Sequence, residues 1–385
     1  MKFVPLSEVA RIDRDSIQPG DIKKGTTYVG LENIASGGSF VDVVDVSAGT
    51  LASNKFKFTR EHILYGKLRP YLAKIALPEF SGICSTDILP IKVGEQADRR
   101  FIAHYLRQNH MVNKVNSLAT GANLPRISPK ILATIEVPFL PLENQRRIAN
   151  TLDKADALRA KRREAIIHLD ALSISIYNEI FGDSLVDSDR RWPHVSVAEV
   201  CSHIVDCVNR TAPITPNATP YKMIRTTNVR NRSIDLTDVR FVDEETFNQW
   251  NRRLIPRFGD VVLTREAPMG EAGIVPAGEK VFLGQRTMLY RADPSRLTAE
   301  YLLYTLTSRY MKTSFSKHGA GTTVKHLSVP YCRNFHIPLP PLGLQQEFTD
   351  RITALDTLRA AHRAQLAALD SLFLSLQNRA FKGEL

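Results

Sequence analysis

The sequence predicts a mixed α/β chain: two globular domains separated by two long antiparallel coiled-coil helices, with an internal pseudo-twofold repeat. Three observations carry that prediction. One stretch recurs 200 residues later in the same register. The first copy lacks Gly and Pro over 40 residues, and both copies keep a heptad stripe of apolar side chains. The rest of each half mixes strand-like alternation with helical periodicity.

The repeat is read first because it sets the architecture. Pro138, Pro141, Leu142 and Gln145 return as Pro338, Pro341, Leu342 and Gln345. Asp156, Leu158, Arg159 and Ala160 return as Asp356, Leu358, Arg359 and Ala360. Leu169, Asp170, Leu172, Ser175, Asn178 and Phe181 return as Leu369, Asp370, Leu372, Ser375, Asn378 and Phe381. Upstream the echo thins: Tyr28 to Ile34 loosely matches Tyr221 to Val229, and Ile63 to Tyr71 matches Val261 to Met269. Four segments follow: a first globular domain over 1–141, a helix over 142–181, a second globular domain over 182–341 and a second helix over 342–385.

In the first globular domain Ser39–Val46 alternates like a strand behind a Gly37-Gly38 turn, Ile83–Val93 reads as strand, and Arg99–Leu118 as helix. Val281–Tyr290 and Ala299–Phe315 are the counterparts in the second. In the first long helix Ile148, Leu152, Ala155, Ile166, Leu169, Ile176 and Ile180 form a heptad seam. In the second the seam is Phe348, Ile352, Leu355, Leu366, Leu369, Phe373 and Leu376. Each helix would be about 60 Å long. Prolines mark their starts, and Gly182 and Gly383 sit where a C-terminal cap wants glycine. One apolar seam needs one partner, and the other helix supplies it, so the domains are expected at opposite ends of a rod. Arg159, Arg162, Arg359 and His362 interrupt the seams and are expected to fix register and direction, the alternative being partner or DNA contacts. Asp156 and Asp356 stand three residues before Arg159 and Arg359, as i,i+3 partners.

Composition bounds the function. With 43% hydrophobic and 24% charged residues among 385, the chain is globular and too long for one core. No apolar run nears the ~20 residues of a membrane span. The N-terminus turns acidic before a signal core forms, and four cysteines make no disulfide framework. A soluble, cytoplasmic protein is expected. The net charge of +11 suggests an anionic partner. Its distribution is sharper: +5 in each globular domain, against +1 and 0 in the helices. That describes two basic modules on a neutral spacer. No phosphate-binding loop, dinucleotide fingerprint, HExxH, Asn/Asp-Pro-Pro-Tyr/Phe or CxxC is present, so nothing argues for an enzyme or a metal site.

The arrangement resembles the specificity subunit of type I restriction–modification systems. The resemblance rests on Pro138 to Ile148, Pro338 to Phe348, Gly66-Lys67-Leu68-Arg69-Pro70 and Thr120 to Pro125, and it spans essentially the whole chain. The second unit departs from it: Thr264-Arg265-Glu266-Ala267-Pro268 replaces the Gly-Lys-Leu-Arg-Pro type of motif, and Phe348 stands where Ile is usual. The resemblance implies two target recognition domains, each reading half of a bipartite, asymmetric double-stranded DNA target. The helices set the gap and dock two methyltransferase subunits, and restriction subunits join through that complex. The chain itself then has no catalytic residue, cofactor or metal; S-adenosylmethionine, ATP and Mg belong to the partners.

DNA contact needs cations for phosphate and a few polar side chains for base edges. The candidates are Lys67, Arg69, Tyr71, Asn123 and Arg126 in the first domain. In the second they are Arg225, Asn228, Arg265, Arg286, Thr323 and Lys325. Each competes with an ordinary surface or ion-pair role, and Tyr71 also reads as a core aromatic. The alternative function is a coiled-coil scaffold whose end domains bind protein partners, and a third is an enzyme that has lost its site. A protein scaffold does not account for the basic excess in both domains.

Overall fold

The computed structural model describes residues 2–182, 191–319 and 325–385. They form two compact units, Met1–Arg163 with Ala364–Leu385, and Glu164–Arg363. The long helices run Leu142–Phe181 and Leu342–Lys382, so each gives its first half to one unit and its second half to the other.

The helix halves are antiparallel within each unit. In the first, Arg147 donates to the Leu385 carbonyl at 3.0 Å, and Arg159 reaches Asp370 at 2.6 Å. In the second, Phe348 meets Phe181 with ring centroids 5.4 Å apart, and Arg359 pairs with Asp170 at 2.9 Å. Gly182 and Gly383 take φ of 93° and 85°, the left-handed cap that favours glycine.

The predicted seam holds over the first helical turns, where Ile148, Leu152, Ala155, Phe348 and Ile352 are buried. Towards the C-termini it drifts. Ser173, Tyr177 and Phe181 are buried while Ile176 and Ile180 are half-exposed; Gln377, Ala380 and Phe381 are buried while Leu376 is half-exposed. A straight helix drifts about 20° per heptad from a 3.5 repeat. These ends also pack on a globular domain. Tyr177 stacks near Tyr301 and hydrogen-bonds Thr305 at 2.9 Å; Phe381 lies against Phe101 and Tyr105.

Each unit contains an antiparallel four-stranded sheet of the same order. In the first it is Ala10–Ile12, Ile88–Val93, His62–Gly66, Ile75–Ala76; in the second, Cys201–Asp206, Thr287–Ala292, Val261–Arg265, Met269–Ile274. Helices Arg99–Leu106 and Ala299–Leu306 share the cores of these sheets, through Phe101 and Tyr105 in one and Tyr301 and Leu302 in the other. A second sheet in each unit has a parallel pair at matching places: Thr26–Val29 with Gly82–Cys84, and Tyr221–Ile224 with Lys280–Leu283.

Five predicted elements are shortened or divided. Only Val44–Val46 of the Ser39–Val46 stretch is strand, because Asp42 breaks it with φ 46°; the Gly37-Gly38 turn is present. The helices split into Arg99–Leu106 with Asn109–Ser117, and Ala299–Leu306 with Arg309–His318. Ser308 caps a new helix by accepting from the Met311 amide at 3.2 Å. Ile83–Val93 and Val281–Tyr290 each divide into two strands around a turn. Those turns present Asp87 and Arg286.

Candidate nucleic-acid interface

In the first unit the Gly66–Pro70 segment is stitched to the loop over 120–127. The Lys67 amide donates to Asp87 O at 2.9 Å, Arg69 N to Pro125 O at 2.7 Å, and Ile127 N to Lys67 O at 3.0 Å. This brings Lys67, Arg69, Tyr71, Asn123 and Arg126 onto adjoining loops. Arg69 and Asn123 are exposed. Tyr71 is 51% exposed, so the core reading of Tyr71 is wrong: its 3-10 turn carries the ring outward. Arg69 holds φ 52°, and its side chain has no hydrogen bond or ion pair among the described residues. Asp87 is the hub. Arg126 Nε donates to its Oδ1 at 3.2 Å, and Lys67 Nζ lies 3.6 Å from the same oxygen.

The second unit repeats this backbone with different side chains. Arg265 N donates to Arg286 O at 2.8 Å and Leu327 N to Arg265 O at 3.0 Å, so Arg265 stands where Lys67 stands and Arg286 where Asp87 stands. Ala267, φ 47°, takes the left-handed place of Arg69. The ion pair is reversed: the carboxylate is now Glu266, on the motif loop, held 3.0 Å from Arg286 Nε. Arg286 is exposed and left-handed at φ 67°, and Lys325 is exposed. Thr323 lies outside the described residues.

Two candidates are corrected. Arg265 is buried; its Nη1 donates to Leu327 O at 3.0 Å, because the strand turns this side chain inward under the loop. Asn228 is also buried. Its amide donates to Asp235 O and Asp238 O at 3.0 and 2.8 Å, and its Oδ1 accepts from the Arg225 amide at 3.0 Å. Asn33 does the same work in the first unit, bonding Gly30 N, Val41 O and Asp42 O. A buried amide with its hydrogen bonds committed holds a turn and is not free to read a base. Arg225 is half-buried and also bound locally, to Asp238 at 2.8 and 3.3 Å. Sequence reasoning passed over Asp87 and Glu266, because a search for phosphate contacts looks only for cations. Glu266 was visible as a departure inside the Thr264–Pro268 stretch.

The repeated glutamines fasten domain to helix. Gln145 accepts from Asp98 N at 2.9 Å and donates to Gln96 O and Leu140 O at 3.0 and 2.8 Å. Gln345 makes the same three bonds, with Thr298 N, Arg296 O and Pro340 O at 3.0, 3.1 and 2.9 Å. Further along, Asp153 accepts from buried His104 at 2.8 Å and from Arg100 at 3.1 Å. Burial pushes the Asp153 carboxyl up, but the His104 hydrogen bond and the His104 and Arg100 charges outweigh it and hold the carboxyl below its usual value.

The seam-breaking arginines bridge helix to helix. Arg159 binds Asp370 and Asp156 and lies 4.4 Å over the Phe373 ring; Arg359 binds Asp170 and Asp356. These are the expected i,i+3 pairs, with a cross-helix partner added. Beside them the helices expose matching apolar sets. Leu158, Leu372 and Leu374 lie in the first unit, and Leu358, Leu172 and Ile174 in the second, all between 43% and 53% exposed.

Among the described residues no group of three or more His, Cys, Asp or Glu is placed to hold a metal, and no helix is long and apolar enough to cross a membrane.

Residues 1–168 and 192–370 match the family described as the type I restriction modification DNA specificity domain. The specificity subunit of the type I restriction enzyme MjaVIII from Methanocaldococcus jannaschii is 24% identical, over 70% of this chain and 67% of that protein. The EcoKI specificity subunit of Escherichia coli is 26% identical, over 74% of this chain and 65% of that protein. The chain thus spans about two thirds of the length of these curated relatives. Among solved structures, the S subunit of a type I restriction–modification system from M. genitalium gives a TM-score of 0.60 at 13% identity, covering 99% of this chain and 96% of that one. A chain from work on complex assembly and conformational transition of the type I R-M system gives 0.55 at 22% identity, covering 100% and 98%. These likenesses establish the two-domain, long-helix fold.

Proposed function

This chain belongs to the type I restriction–modification DNA specificity family, and from that premise we propose that it recognises a bipartite, asymmetric DNA target. It would carry two methyltransferase subunits and, through them, restriction subunits to that target. One observation carries the reading: two units share one loop-stitching backbone frame but present different polar side chains on it. Two unlike readers joined in one chain suit two unlike half-sites, whereas a homodimer suits a palindrome. The +5 charge of each globular domain supplies phosphate attraction, and the near-neutral helices suit a spacer that sets the gap.

The paired apolar sets, Leu158, Leu372 and Leu374 against Leu358, Leu172 and Ile174, support two equivalent docking surfaces for one kind of partner. In this reading the chain supplies recognition alone. Methyl transfer with S-adenosylmethionine, and cleavage with ATP and Mg, are the partners' work.

The test is co-expression with the neighbouring methyltransferase subunit in a host lacking DNA methylation, followed by genome-wide mapping of N6-methyladenine. The expected result is one gapped asymmetric motif that disappears when this chain is omitted. An assembled complex that produces no motif would return the chain to the scaffold reading.

A further inference from the structure

We infer that Arg126 and Arg286 are the guanine-reading side chains of the two domains, and that Asp87 and Glu266 are the positioning residues that aim them. This rests on the DNA-recognition reading above and names the groups that perform it.

The inference starts from a shared geometry reached by different residues. In each unit an exposed arginine sets its Nε beside a half-buried carboxylate on an adjoining loop: Arg126 hydrogen-bonds Asp87 at 3.2 Å, and Arg286 forms an ion pair with Glu266 at 3.0 Å. The arginine side chains are 43% and 48% exposed, the carboxylates 27% and 24%. The turn position carries opposite charge in the two units. Asp87 occupies the turn as carboxylate in one unit, and Arg286 occupies that turn as cation in the other. Glu266 follows Arg265 on the motif loop, at the place of Leu68, so the arginine–carboxylate pair recurs in the second unit with its turn residue reversed in charge and its partner drawn from a different loop.

The pairing leaves the outer edge of each guanidinium available. Arg126 has only long contacts at its terminal nitrogens, 3.5 Å to Asp87 and 3.4 Å to Leu124 O. Among the described residues the terminal nitrogens of Arg286 make no hydrogen bond, and its ion pair with Glu266 is shortest at Nε. A guanidinium paired with a carboxylate on its Nε side keeps two parallel terminal N–H donors, the pattern that matches guanine O6 and N7 in the major groove. Fixing it beforehand also reduces the ordering cost of binding. Arg286 adds an independent sign: it holds a left-handed φ of 67°, a conformation that disfavours any residue with a Cβ.

The experiment uses the full chain in complex with its methyltransferase partner and reads N6-methyladenine maps for wild type, Asp87→Asn, Glu266→Gln, Arg286→Lys and the Glu266→Gln/Arg286→Lys pair. Both carboxylate changes keep side-chain size, and Arg286→Lys keeps charge while losing the paired donors. Asp87→Asn and Glu266→Gln should each relax one G·C position, in opposite half-sites. Discrimination there should fall roughly fivefold to 150-fold, with the gap and the other bases unchanged. Arg286→Lys should relax the same position as Glu266→Gln, and the pair should do no more than Arg286→Lys alone. If wild type yields a motif and the variants keep it at full discrimination, or lose it evenly over both half-sites, the assignment is overturned while the DNA-recognition reading stands. If wild type yields no motif, that reading fails and takes this one with it.

Discussion

Replacing Gln145 by Leu keeps the side-chain volume and removes three buried hydrogen bonds at once. The bonds run to Asp98 N, Gln96 O and Leu140 O, at 2.8 to 3.0 Å, from a side chain that is 1% exposed. At about 1 kcal/mol net per bond the loss is about 3 kcal/mol, and more where the backbone groups stay dry and unpaired, so the expected cost is about 3–5 kcal/mol. The bonds to Asp98 N and Gln96 O join the loop before Arg99–Leu106 to the start of the first long helix, and the bond to Leu140 O ties the residues just ahead of that helix, so the first unit should carry the whole loss. Urea titration gives the magnitude, and hydrogen exchange gives the place: the Asp98 amide should lose protection. Gln345→Leu should do the same in the second unit, reported by the Thr298 amide. The two share no partner, so the double variant should lose the sum. A cost below about 1 kcal/mol, or an Asp98 amide that stays protected, would refute the idea that these glutamines fasten domain to helix.

Arg159→Met keeps the stem but removes the Asp370 and Asp156 pairs and the cation over Phe373. The expected cost is about 1–2 kcal/mol, smaller in high salt, and a denaturation series at two ionic strengths checks both parts. The Asp153 carboxyl is held below its usual value, so its stabilisation is complete above about pH 4 and is lost as pH falls through the lowered folded value. Asp153→Asn should therefore flatten the stability–pH curve of the first unit on that acid side; an unchanged acid slope would rule this out. Arg69→Gly relieves a left-handed φ of 52° on a side chain without a partner, so stability should stay within about 1 kcal/mol of wild type. Target-DNA binding by the assembled complex should nevertheless weaken by about 1–3 kcal/mol; unchanged affinity removes Arg69 from the interface.

The duplication, the long helices and their caps were legible in the sequence because they are written in local terms. A 40-residue stretch without Gly or Pro, a heptad stripe and a terminal glycine each act within a few turns of chain. The Arg–Asp spacing at 156/159 and 356/359 is local too, and the pairs are present. The loops that carry Lys67, Arg69, Asn123 and Arg126 were found from motif and charge. What each side chain does there was decided by tertiary structure. Arg265 and Lys67 hold equivalent backbone positions, yet one turns under the loop to the Leu327 carbonyl while the other meets Asp87. Asn228 has the chemistry of an adenine reader, but it is committed to carbonyls seven and ten residues away. Asp87 and Glu266 show no cationic signal at all; they matter only because folding sets them beside an arginine. A carboxylate's effect depends on distances of about 3 Å across chain segments up to 39 residues apart, and that proximity is created by the packed sheet and its loops.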